Sequence, residues 1–179
     1  MKALLMDTET NGLLAPSIVP LAKQPRITEF YGCLVEDDGT VLEELEFLCS
    51  IGEPLSEEIT RITGITDADL ADKPPFSAHC DEIAALLEKA DAVVAHNLHF
   101  DSEMLRLEFL RADPERKIMW PIRRICTIQE TEHYKGFRLN LTGLHEHLFG
   151  EGFPAAHRAG NDVMALKRCW VELRKRGDV

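Results

Sequence analysis

The stretch Met6-Asp7-Thr8-Glu9-Thr10-Asn11-Gly12-Leu13 sets two carboxylates at the end of an apolar run, Ala3-Leu4-Leu5-Met6. If that run is a buried strand, residues two apart point the same way, so Asp7 and Glu9 project from one face. Two carboxylates aimed at one spot repel each other unless a positive charge lies between them. A divalent cation meets that need, and all-oxygen ligands suit Mg²⁺ or Mn²⁺. Taken alone, the pair reads more simply as a turn acid followed by a solvated one. Two distant acids change the balance. Asp101 ends His96-Asn97-Leu98-His99-Phe100-Asp101 and, on a helix, shares a face with Met104 and Leu105. Asp162 heads the stripe Asp162, Leu166, Cys169, Leu173. A carboxylate on an apolar face is costly to bury unless it is paired or bound to metal.

Coincidence explains one such acid and explains three sites poorly. Four carboxylates, Asp7, Glu9, Asp101 and Asp162, could hold two Mg²⁺ or Mn²⁺ ions about 4 Å apart, an arrangement suited to phosphodiester displacement. A histidine could then take the proton of an attacking water. His157, five residues before Asp162, would turn away from it on a continuous helix. It is therefore expected on the segment before the helix, free to swing over the site. His79, His96, His99, His133, His145 and His147 read as ordinary surface or hydrogen-bonded residues.

The supporting elements follow from periodicity and punctuation. Lys2–Thr8 reads as the first strand, and Ile27–Glu36 with Thr40–Cys49 as a hairpin around Asp37-Asp38-Gly39. Ser56 opens a short helix that Gly64 ends. Ser77 is the expected cap of a helix to Lys89, with Cys80, Ile83, Ala84 and Leu87 on one stripe. Asp91–His96 is a second buried strand and Ile125-Cys126 a short third. Helices are expected over about Phe100–Arg111, Thr127–Tyr134, Leu141–Phe149 and Ala159–Lys175. The pattern predicts an α/β fold, a mixed sheet with helices on both faces, in a single domain over residues 1–179.

A formal net charge of −11 argues against a broad basic surface for duplexes. A strand end held through metals and a few basic groups remains compatible with it. Five scattered cysteines without a CxxC pair predict reduced thiols in the cytoplasm. The first apolar run is too short for a signal peptide and no segment reaches membrane length, so no membrane partner is expected.

The stretches Asp7-Thr8-Glu9, His96-Asn97-Leu98-His99-Phe100-Asp101 and His157-Arg158-Ala159-Gly160-Asn161-Asp162 resemble, in order and spacing, the three motifs of the DEDDh (DnaQ-like) 3′–5′ exonucleases. That family includes the polymerase III proofreading subunit, exonuclease X, RNase T and oligoribonuclease. Ile62-Thr63-Gly64-Ile65-Thr66 and Ile125-Cys126-Thr127 look most like exonuclease X. The resemblance implies a ribonuclease H-like fold and release of 5′-mononucleotides from 3′ ends with two Mg²⁺ or Mn²⁺. It implies metal ligation by Asp7, Glu9, Asp101 and Asp162 and a general base at His157. Thr10, Asn11 and Gly12 would line the terminal nucleotide, with Leu13 and Phe100 offering apolar surface to bases. Asn11 stands where the family more commonly has Thr, and the apolar loop Ala15–Gln24 is longer than in compact members.

Single-stranded DNA is the expected substrate. The alternatives are RNA, as for RNase T or oligoribonuclease, and a non-catalytic binding module, which would be expected to have lost ligands. A DNA polymerase and a second copy of the chain are possible partners. Arg123, Arg124, Lys135, Phe137, Arg138 and Arg158 are candidates for guiding a strand, with a plain solvated surface as the alternative.

Overall fold

The computed structural model describes residues 1–153 and 157–179. Its strands are β1 (Ala3–Thr10), β2 (Ile27–Val35), β3 (Val41–Leu48), β4 (Ala92–Ala95) and β5 (Arg123–Cys126). Its helices are α1 (Glu57–Thr63), α2 (Asp67–Leu70), α3 (Cys80–Lys89), α4 (Leu98–Ala112), α5 (Thr127–Thr131), α6 (Leu141–Phe149) and α7 (Ala159–Arg176). The strands form one open mixed sheet in the order β3-β2-β1-β4-β5. β1 and β3 run antiparallel to β2, while β4 is parallel to β1 and β5 to β4. A parallel neighbour needs a crossover, and α4 supplies the one between β4 and β5.

Alternation along β1 divides the core. Leu4 and Met6 pack with α3 and α4 on one face, Ala3 and Leu5 with Val163, Leu166 and Trp170 of α7 on the other. Continued along the strand, the same alternation sends Thr8 toward α4, and Asp7 and Glu9 toward α7. β4 pairs with β1 only at Ala3–Leu5, so Asp7–Thr10 run past the end of β4 while still paired with β2. The notch so formed at the C-terminal ends of parallel strands is where open α/β sheets bind ligands.

Several local devices match the sequence. Ser56 caps α1 by accepting from the Ile59 amide, and Gly64 ends it in a left-handed conformation. Gly39 turns the hairpin at φ 87°, where a Cβ would also meet Val171 at 2.7 Å. The inward faces of α4 and α7 are as expected, with Met104, Leu105, Leu166, Cys169, Trp170 and Leu173 all buried. Other details differ. Ser77 caps nothing: it lies inside a 3-10 turn, Phe76–His79, that starts after Pro75 and hands over to α3 at Cys80. The buried stripe of α3 is Cys80, Ile83, Leu86 and Leu87, with Ala84 only half-buried. α2 had no counterpart in the sequence reading, although Thr66 and Asp69 form a reciprocal capping box at its start. No helix among the described residues is long and apolar enough to cross a membrane. All five cysteines are free and buried.

Candidate active site

The strand end, the head of α4 and the head of α7 meet in one cleft. Ligand oxygens of Asp7, Glu9 and Asp162 all lie within 4.8 Å of one another. Asp101, 3% exposed, lines the same cleft as Asp7, Asp162 and His157. It comes from the opposite face of β1, held by the Thr8 hydroxyl, which donates to Asp101 Oδ1 at 2.8 Å. Thr8 thus serves as the tether between strand and helix. The cleft has two neighbouring halves. One, about 450 Å³, holds Asp7, Asp101, Asp162 and His157; the other, about 590 Å³, lies between the Glu9–Gly12 stretch and α1. Thr8, Leu13 and Phe100 border both, and Leu13 is 86% exposed.

Burial and mutual repulsion dominate the electrostatics of this cluster. Burial, then the charges of Asp101, Glu9, Asp162 and Glu29, pushes the Asp7 carboxyl well above its ordinary range. Burial and the carboxylates of Asp162, Glu29 and Asp101 push Glu9 up to about 8, with Arg158 opposing. Burial pushes Asp101 to about 7 despite the Thr8 hydrogen bond, and also raises Asp162. Among the described residues no lysine or arginine lines either half of the cleft. An acidic set of this kind, oxygen-only and short of positive charge, is suited to a hard divalent cation.

The heads of the helices are fixed by contacts that sequence spacing does not disclose. Glu29 lies in β2 directly opposite Glu9 and is 1% exposed. It accepts from Arg158 Nη2 at 2.7 Å, from Arg158 Nε at 3.1 Å and from the Ala159 amide at 2.9 Å, clamping the start of α7. Arg158, expected as a strand guide, is therefore committed to Glu29. Gly160 allows the close approach: a Cβ there would meet the Tyr31 ring at 3.3 Å. His157 precedes the helix, as expected, but its backbone is not free. It sits at φ 70°, and its amide donates to Asp162 Oδ2 at 2.9 Å, leaving the side chain exposed. The one signal for Glu29 was an acid within an otherwise apolar strand, Ile27-Thr28-Glu29-Phe30-Tyr31.

Thr10, Asn11 and Gly12 do line the second half of the cleft. Their side chains are committed internally, however. The Thr10 hydroxyl donates to the Gly12 carbonyl, while Asn11 donates to Glu53 at 2.8 Å and accepts from the Arg26 amide at 2.6 Å. His96 borders the cleft but is structural: it pairs with the Thr127 hydroxyl at 2.9 Å and donates to the Leu139 carbonyl at 3.1 Å, and burial lowers it to about 4. The loop after Leu13 is a built feature. Gln24 ties Ala15, Pro16 and Val19 together, and Arg111 donates to the carbonyls of Leu21, Gln24 and Pro25.

Residues 4–169 match the family model of the RNase T exonucleases. The chain belongs to that exonuclease family. The DNA polymerase III subunit epsilon of Treponema pallidum is 27% identical over 181 residues, covering 93% of this chain and 74% of that one. The PolC-type DNA polymerase III of Thermotoga petrophila is 30% identical over 105 residues, 58% of this chain, which spans only 7% of the polymerase. Exonuclease X in complex with 5′ overhanging duplex DNA superposes with a TM-score of 0.67 at 22% identity, covering 98% of this chain and 93% of that one. The 3′-exonuclease that recognises a histone mRNA stem-loop superposes at 0.76 with 15% identity, covering 98% and 82%.

Proposed function

We propose that the protein, one exonuclease domain over residues 1–179, removes mononucleotides from the 3′ ends of single-stranded DNA with two Mg²⁺ or Mn²⁺ ions. The observation that carries this reading is the meeting of Asp7, Glu9 and Asp162 within 4.8 Å, with Asp101 in the same cleft. The donor set fits the ions: all oxygen, partly buried, mutually repelling and without a basic side chain among them. Asp7, Glu9, Asp101 and Asp162 would hold the ions, which, when bound, supply charge neutralisation at the phosphoryl group and an acidified water. His157, which lines the same cleft and whose backbone amide is held to Asp162, would accept the proton of an attacking water at an imidazole nitrogen. Thr10, Asn11 and Gly12 shape the seat of the terminal nucleotide through backbone groups, and Leu13 and Phe100 give its base an apolar wall.

DNA is favoured because the sequence relatives are DNA polymerase III chains, and a polymerase partner fits the same relatives. RNA is the second reading, supported by the histone mRNA exonuclease among the structural neighbours. The test uses 5′-labelled single-stranded DNA and RNA of one sequence, with Mg²⁺, Mn²⁺ or EDTA, beside Asp7→Ala and His157→Ala. A ladder shortening from the 3′ end, absent in EDTA and lost in both variants, is expected, with DNA the faster strand. Intact strands with every metal overturn catalysis; faster RNA overturns the DNA preference.

A further inference from the structure

Both halves of the cleft are lined without a lysine or arginine among the described residues, so the phosphates of a longer strand find no counter-charge inside. If the terminal nucleotide occupies the half beside Thr10–Gly12, the rest of the strand leaves by the other. The rim of that half includes Asn140, Leu141 and Thr142. The chain running into this rim is Lys135-Gly136-Phe137-Arg138, exposed throughout, with the Phe137 ring 59% exposed. Arg138 lies within about 8 Å of Asn140 from backbone spacing alone.

This segment is anchored, not loose. His96 holds the Leu139 carbonyl at 3.1 Å, the Asn140 side chain caps α6 through the Gly143 amide at 2.8 Å, and the Gly136 amide donates to Glu132 at 2.9 Å. Neither Lys135 nor Arg138 takes part in an ion pair among the described residues. The competing cations are engaged: Arg158 by Glu29, Arg123 on Met1 Sδ at 3.0 Å, and Arg124 over the Trp120 ring at 5.4 Å. We infer that Lys135, Phe137 and Arg138 form the platform on which the single strand upstream of the scissile phosphate lies, the ring stacking a base and the two cations meeting phosphates. The inference rests on the exonuclease reading above. It suits sequence-tolerant binding, since every base offers a face to stack.

The full chain is tested as Phe137→Ala and as Lys135→Glu with Arg138→Glu. Two readouts are taken on a thymidine 12-mer and on a thymidine dinucleotide: kcat/KM with Mg²⁺, and binding by fluorescence anisotropy with 3′-phosphorothioate strands. The 12-mer-to-dinucleotide ratio is expected to fall about tenfold in Phe137→Ala, the size of one lost base stack, and to fall in the charge variant as well. The charge variant is also expected to flatten the salt dependence of 12-mer binding by about 1.4 in the log–log slope, two phosphate contacts on a single strand. Unchanged ratios and an unchanged slope overturn the platform. Because binding is read separately, an inert wild type that still favours the 12-mer through these residues condemns the catalytic reading and not the platform.

Discussion

Two groups of carboxylates, buried or partly buried, lie along this molecule, and they are treated in opposite ways. Glu108, in α4 and 2% exposed, accepts from Arg26 Nε at 2.9 Å, Arg111 Nη1 at 2.9 Å and the Ile27 amide at 3.1 Å. Its charge is met twice over by the protein. Among the described residues, Asp7, Glu9, Asp101 and Asp162 are met by each other, one hydroxyl and one amide, and burial first, then mutual charge, raises their carboxyls. Glu29 stands between the two cases: it abuts the unpaired set yet is fully engaged by Arg158 and Ala159. On the proposed reading, the difference separates acids that hold the fold together from acids available to a cation. Burial raises each carboxyl of the second group, so the neutral form is favoured there and mutual repulsion is relieved.

Substitutions can break that contrast. Asp7→Asn is expected to lower kcat about a thousandfold, a loss of the size seen when a group stabilising transition-state charge is removed. Its melting temperature in EDTA should equal or exceed that of the wild type, since one repelling charge is gone. A marked destabilisation would place Asp7 with the structural acids. Glu108→Ala should do the reverse, costing about 3–5 kcal/mol in denaturant unfolding because two arginines lose their partner. Glu29→Gln is expected to weaken Mg²⁺ binding about 10–100-fold by calorimetry, as for other groups that orient ligands from behind. Restoration by Glu29→Asp would separate positioning from general destabilisation.

The smallest effect is one of pH. Folded Glu9 holds its proton to about 8 and Asp101 to about 7, whereas the unfolded chain releases both near the ordinary carboxylate range. The folded state therefore binds more protons, so metal-free stability should fall as pH rises from about 5 to 8. Melting scans in EDTA across that window check the sign. Saturating Mg²⁺ should remove the slope, release protons on binding and stabilise more at pH 8 than at pH 6. A metal-free melting temperature that rises with pH would contradict the raised carboxyls.

How much of this was legible depended on range. The α2 capping box was local and could have been read from Thr66-Asp67-Ala68-Asp69; the 3-10 start of α3 was missed because Pro75 outweighed Ser77. Arg158 looked like a free cation since its partner lies 129 residues away. Which acids share a direction is written in local spacing: strand alternation pairs Asp7 with Glu9, and helical periodicity turns Asp101 and Asp162 inward. That Thr8 tethers Asp101, and that Glu29 sits across from Glu9 and grips α7, emerges when the elements dock. Periodicity is set by the backbone within one element. Register and docking are set by how separate elements bury their apolar faces together, which no local spacing encodes.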